Sequence, residues 1–220
     1  MKHFVNPLDK ILTPFCAFIL PVAVHSQEVP QKPNIVIIMA DDMGYSDLGC
    51  YGSEINTPNI DNLAFNGIRF THFYNAGRCW PTRASLLSGY YPNAIGMDPL
   101  PAKRISPTWV KTLPQYLNDA GYETYHVGKW HYFNKPRPTT DGGFSHSCLL
   151  DHFDNYFYNY ELELNGQGTG KHTKEKQKYI STALTDHAIS FLEEHREKDP
   201  EKPFFLDRKS TRLNSSHVSQ

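Results

Sequence analysis

Three short groups of residues in this chain have types and spacings that could do chemistry. Asp41 and Asp42 follow directly on Asn34-Ile-Val-Ile-Ile-Met-Ala40, a continuous apolar run. Two adjacent carboxylates at the end of a buried strand repel one another. A divalent cation that prefers oxygen ligands, Ca²⁺ or Mg²⁺, relieves that repulsion. The plainer alternative is a solvated strand end running into a turn at Gly44. The second group is Cys79-Trp80-Pro81-Thr82-Arg83. A cysteine two residues ahead of a helix-opening proline lies beside the unpaired N–H groups of the first turn, whose field favours an anionic nucleophile and an anionic substrate together. Arg83, one turn on, can aim a planar fork at the same point. A buried cysteine near a surface arginine is the bland reading of such a pair. Lys129 and His131 form the third group, leaving a strand end two residues apart so that both can face one pocket. Taken alone, a histidine in that position is more often structural.

The elements that must position these groups are legible as alternating strands and helices. The β-branched run 34–40 predicts a strand buried on both faces. Thr57-Pro58 predicts a helix start, with Ile60, Leu63 and Ala64 as its buried stripe and Gly67 as its end. Ile68, Phe70, His72 and Tyr74 alternate and predict a strand. A second helix is expected from Pro81 to Gly89. A third is expected from Thr112 to Gly121, with Leu113, Leu117 and Ala120 inward. A strand over Tyr122–Val127 then leads into Gly128-Lys129-Trp130-His131. Residues 132–173 read as a long ordered loop on the substrate side. A helical period returns after Lys174, with Ile180, Ala183, Leu184, Ala188, Phe191 and Leu192 on one face. Pro203-Phe204-Phe205-Leu206 starts another buried strand. Residues 207–220 are Ser-, Arg- and Asn-rich and are expected to form a polar tail outside the native fold. The pattern is that of an α/β domain with a mostly parallel central sheet flanked by helices.

Length and charge narrow the function classes. The 220 residues carry 22 Lys+Arg against 23 Asp+Glu, a formal net charge of −1. This excludes a nucleic-acid binder working by bulk positive charge and an acidic disordered tail. Residues 1–26 read as a signal peptide. Lys2, His3 and Lys10 precede an apolar stretch from Ile11 to Val24, with cleavage expected near Ser26. The stretch is short for a membrane span and is interrupted by Pro14 and Pro21. Cys16 lacks the leucine spacing of a lipoprotein. The expected location is therefore secreted or periplasmic, with no membrane span after cleavage. Beyond the leader stand Cys50, Cys79 and Cys148, an odd count with no Cys-x-x-Cys spacing. A Cys50–Cys148 disulfide is one open alternative.

The second group also belongs to a longer pattern. Cys79-Trp-Pro-Thr-Arg83-Ala-Ser-Leu-Leu-Ser-Gly89 resembles the signature of the type I sulfatases, a Cys-x-Pro-x-Arg core followed by Leu-x-Ser/Thr-Gly. The resemblance extends to Pro33-Asn-Ile-Val with Asp41-Asp42-Met-Gly-Tyr, to Thr57-Pro-Asn-Ile-Asp-Asn-Leu-Ala, and to Gly128-Lys-Trp-His131. It implies an alkaline-phosphatase-like fold, of which 27–206 would be the N-terminal portion of the catalytic domain, apparently truncated. It further implies that Cys79 is oxidised by formylglycine-generating machinery to formylglycine, whose hydrate attacks the sulfur of a sulfate monoester. Asp41 and Asp42 match the family's first Ca²⁺ ligands, with the converted Cys79 also at the metal. Arg83 would steady the formylglycine, Lys129 would contact the sulfate oxygens, and His131 would act as base for the release step. The implied substrate is a sulfated saccharide or an aryl sulfate. The family's further ligands, its second lysine and its leaving-group histidine have no match here, and His217 lacks their context. The alternatives are a phosphatase or phosphonate hydrolase of the same fold, disfavoured by Cys79, and a non-catalytic exported glycan-binding protein.

Overall fold

In the computed structural model, the described residues are 31–97, 106–132, 137–150, 157, 160–171 and 178–209. The expected signal peptide and residues 210–220 lie outside them. Ile35–Met39 (β1), Glu123–Gly128 (β2), His146–Leu150 (β3), Glu161–Leu164 (β4), Gln167–Lys171 (β5) and Phe204–Lys209 (β6) join in one sheet of order β1-β6-β2-β3-β4-β5. The first four strands in that order are parallel, and β4 and β5 close the far edge antiparallel. This is the expected α/β architecture with a mostly parallel sheet.

Helices cover both faces. Cys79–Ser88 (α2) and Leu113–Asp119 (α3) pack on one, around Ala84, Leu87, Trp130, Phe144 and Phe205. Ile180–Lys198 (α4) packs on the other, around Tyr125, Val127, Leu184, Phe191 and Leu206. Neighbouring residues Phe205 and Leu206 serve opposite cores, as the two-residue period of a strand requires. The α4 stripe matches expectation at Ile180, Ala183, Leu184, Ala188 and Phe191, with Leu192 partly buried. In α3, Leu113 and Leu117 pack inward, but the helix closes at Asp119 and leaves Ala120 exposed.

Several expectations are corrected. Strand β1 is covered on one face only: Ile35 and Ile37 pack on the first core, whereas Val36 and Ile38 are 49% and 70% exposed. Among the described residues it is the outermost strand of the sheet, so an apolar run did not mean burial on two sides. Helix α1 (Pro58–Asn66) forms where expected, yet Ile60 and Leu63 face outward. Polar contacts tie it down instead: Asp61 Oδ1 accepts from the Cys50 N–H at 2.7 Å and from the Thr57 hydroxyl at 2.8 Å. Residues 68–74 alternate in sequence but form no strand, and Ile68, Phe70 and Tyr74 are exposed. Alternation sorts side chains onto faces; a strand also needs a partner backbone.

Residues 132–173 hold β3, β4 and β5 rather than one long loop. Asn165-Gly166 makes the β4–β5 hairpin turn, with φ of 49° and 81°, the doubly positive geometry that this dipeptide favours. Cys148 lies in the core of the second face, Cys50 in a 3-10 turn beside α1, and both thiols are free, so the disulfide alternative is not realised.

The boundary placed at Leu206 is three residues early. Strand β6 runs on to Lys209, because its backbone pairs with both neighbours, Asp207 opposite Ile37 and His126, and Lys209 opposite Met39 and Gly128. Asp207, Lys209 and His126 are fully buried together. Lys209 Nζ lies 3.1 Å from Asp207 Oδ1, and His126 Nδ1 lies 2.9 Å from Asp207 Oδ2. Buried charges persist when paired in this way. Burial pushes the His126 pKa down, outweighing the pull of Asp207. The neutral ring donates Nδ1–H to Asp207, while Nε2 has no hydrogen-bond partner. Because His126 titrates below the ordinary histidine value of 6.5, the unfolded chain takes up the proton first and stability falls as pH drops below that value. Urea unfolding between pH 7.5 and 5.5 is expected to show this slope, reduced in His126→Gln; equal slopes in the two proteins would contradict it.

Candidate active site

Parallel strands that share a direction also share a carboxyl-terminal edge, where α/β sheets collect their ligands. Here β1 and β2 flank β6, so Asp41 and Lys129, each just past its strand, emerge at that edge together. Helix α2 starts at Cys79, with Arg78 as its N-cap, two residues earlier than the proline signal suggested. Cys79 therefore occupies the first helical position, and its partly buried side chain sits in the first turn rather than ahead of it. Gly89 ends the helix at φ 76°, its N–H bonded to the Ser85 carbonyl.

The side chain of Arg83 unites the three sequence groups. Its Nη2 donates to Asp41 Oδ1 at 3.1 Å, and its Nη1 donates to the Lys129 carbonyl at 3.0 Å. Lys129 Nζ donates to the other Asp41 oxygen at 2.8 Å. The side chains of Arg83, Asp41 and Lys129 are 1%, 9% and 12% exposed, so this is a nearly dry cluster. Burial pushes the Asp41 carboxyl up, but the Lys129 hydrogen bond and the Arg83 charge outweigh it and hold the group below its usual range. Asp41 is an anion at neutral pH.

Two non-glycine residues at this edge have positive φ, Asp42 at 54° and His131 at 42°. Such backbone strain persists only where surrounding contacts fix it. Asp42 is exposed beside the cluster. His131 lies edge-on to Trp80, with ring centroids 5.9 Å apart. At the root of the site, a Cβ on Gly128 (φ 114°) would stand 2.0 Å from the Lys209 carbonyl oxygen, so only glycine lets β2 and β6 close there.

Asp41, Arg83 and Lys129 are thus joined directly, and Cys79 and His131 are tied to them through α2. Asp41 and Asp42 offer the hard oxygens that calcium takes, and they fit it in kind. They supply two side chains of a shell that needs six to eight oxygens. No set of three or more His, Cys, Asp or Glu side chains able to hold a metal is present among the described residues. Sequence reasoning had not anticipated the Arg83–Asp41 pair, the grip of Arg83 on the Lys129 carbonyl, or the Trp80–His131 contact. Gly128, next to Lys129, was the one available signal that backbones meet at this point.

Removing the guanidinium strands a buried carboxylate beside one remaining cation. Arg83→Ala is expected to cost roughly 3 kcal/mol in urea unfolding. Arg83→Lys should recover little of that, since one ammonium cannot reach both Asp41 and the Lys129 carbonyl as a planar fork does.

Comparison with known proteins places the chain in a family. The sulfatase family profile matches residues 33–207. N-acetylglucosamine-6-O-sulfatase of Bacteroides thetaiotaomicron is 33% identical over 211 residues, 91% of this chain and 34% of the relative. Human arylsulfatase A is 48% identical over 109 residues, 47% of this chain and 22% of its own length. Among solved structures, Ps i-CgsB superposes with a TM-score of 0.73 at 34% identity, covering 84% of this chain and 46% of that one. BT4656, in complex with its substrate D-glucosamine-2-N,6-O-disulfate, gives 0.68 at 31% identity, covering 81% and 34%. The chain spans about a third or less of the length of the curated relatives it matches. With the profile running from β1 into β6 and enclosing Asp41, Cys79, Arg83, Lys129 and His131, the chain belongs to the sulfatase family.

Proposed function

We propose that this chain supplies the nucleophile side of an active site that hydrolyses sulfate monoesters, with Cys79 matured to formylglycine. The observation that carries the reading is the position of Cys79 at the head of α2, one turn before an Arg83 clamped to Asp41 and Lys129. A formylglycine hydrate there would provide both a nucleophilic hydroxyl and a second hydroxyl for release of the product. The rest would fall to this chain's own side chains and backbone. The N–H groups of the first turn of α2 face the anion that the substrate brings. The Arg83 and Lys129 cations stand beside that anion while neutralising Asp41. Asp41 and Asp42 are the residues that would hold Ca²⁺, and His131 would take the proton for release.

A sulfated amino sugar is the substrate class we favour. Relatives matching most of the chain act on such sugars by name: N-acetylglucosamine-6-O-sulfatase, and BT4656 with D-glucosamine-2-N,6-O-disulfate. Export is part of the same reading, because residues 1–26 have the pattern of a leader and a sulfated glycan is an extracellular ligand. The necessary partner is formylglycine-generating machinery.

Mass spectrometry of the peptide spanning Cys79 tests this directly. Produced beside that machinery, the chain is expected to carry an aldehyde or its hydrate at Cys79; an unmodified thiol would overturn the proposal. In the polypeptide extended to the length of its relatives, Cys79→Ser should abolish sulfate release from N-acetylglucosamine 6-sulfate. Asp42→Ala, which leaves the Arg83–Asp41–Lys129 contacts in place, should weaken Ca²⁺ binding measured by calorimetry.

A further inference from the structure

We infer that Trp80, the residue between Cys79 and Pro81, is a positioning residue that fixes the His131 imidazole relative to the nucleophile. The inference rests on the catalytic reading of Cys79 and His131 given above. Three observations converge on it. First, the Trp80 indole is anchored: its Nε1–H donates to the Met97 carbonyl at 3.0 Å, Met97 is fully buried, and the ring packs against the first core. The Arg78 guanidinium covers the indole, 4.8 Å from its centroid. Second, the ring so anchored meets the His131 imidazole edge-on, at an interplanar angle of 71°. Third, His131 holds a backbone conformation, φ 42°, that a histidine keeps only when its surroundings impose it.

Arg83 holds the backbone of the same turn through the Lys129 carbonyl, two residues earlier. His131 is thereby restrained from two sides, backbone and ring, and both restraints originate in the first turns of α2. Cys79 belongs to that same rigid segment. Any small rotation of α2 carries the nucleophile, the indole and the guanidinium together, so the Cys79–His131 geometry survives movements that would separate residues held by different elements. Proton transfer depends steeply on such geometry.

The test reads the ring itself and needs no turnover. In the 220-residue chain with labelled histidine, His131→Asn assigns the His131 Hε1 resonance. Trp80→Ala is expected to shift that resonance by several tenths of a ppm and to abolish its nuclear Overhauser contacts to the indole. The His195 signal, on α4 at the opposite face of the sheet, should stay in place. Trp80→Phe keeps an aromatic edge without the N–H tether, and a contact between the new phenyl ring and His131 Hε1 is expected. An unmoved His131 resonance in Trp80→Ala overturns the inference, as does a missing phenyl contact in Trp80→Phe. Should Trp80→Ala fail to fold, the phenyl contact alone decides. A chain whose Cys79 remains a thiol while His131 responds as expected would remove the catalytic reading and leave the positioning intact.

Discussion

The carboxylate of Asp41 is the point on which this structure turns. It comes from the end of β1, and it is held by a helix that begins at residue 79 and by a strand end at residue 129. Two cations around one nearly buried anion keep that carboxylate charged in a nearly dry place. An isolated carboxylate at that depth would be expelled or protonated. Without Asp41, Arg83 and Lys129 would lose the carboxylate that both cations grip. The site and the packing of α2 against the sheet are therefore one set of interactions.

The second constraint is close backbone approach. Gly128 lets β2 lie against β6 at the place where the chain turns out toward Lys129 and His131. Below it, the charged residues of β6 are enclosed as a group, with Asp207 between Lys209 and a neutral His126. Apolar residues of similar volume could fill such positions without the desolvation that the ion pair must offset. The contrast with Phe205 and Leu206, one step earlier on the same strand, is sharp: the strand passes from two hydrophobic cores into a buried ionic cluster within three residues.

Much of this was legible in the sequence. Spacing drew attention to Asp41, Cys79, Arg83, Lys129 and His131, the family resemblance gave them their expected roles, and periodicity located α4 and the strand leading to Gly128. What periodicity could not supply was the identity of neighbours. The run at 34–40 predicts burial, but only the sheet order reveals that β1 is outermost among the described strands, with Val36 and Ile38 exposed. The alternation at 68–74 was real and had no strand to pair with. The hairpin at Asn165-Gly166 was overlooked because its flanking segments are polar and short, although the turn dipeptide was in plain view. Asp207-Arg-Lys reads as solvated, since nothing local announces that His126 waits opposite.

The pairing of β1 has a consequence for how the chain reaches this state. Asn34 Oδ1 accepts from the Phe204 N–H across 170 residues, and among the described residues β1 finds its ladder partner in β6. Contacts this distant in sequence carry a large loop-closure cost before they return any stability, and folding slows accordingly. During synthesis, the apolar run 35–39 must wait unpaired while the β4–β5 hairpin, α4 and the β2–β3 pair can already form. An unprotected strand of that composition is the segment most open to intermolecular pairing. Yield in a host cell would then depend less on final stability than on how quickly β6 emerges, or on a chaperone that occupies β1 in the interval.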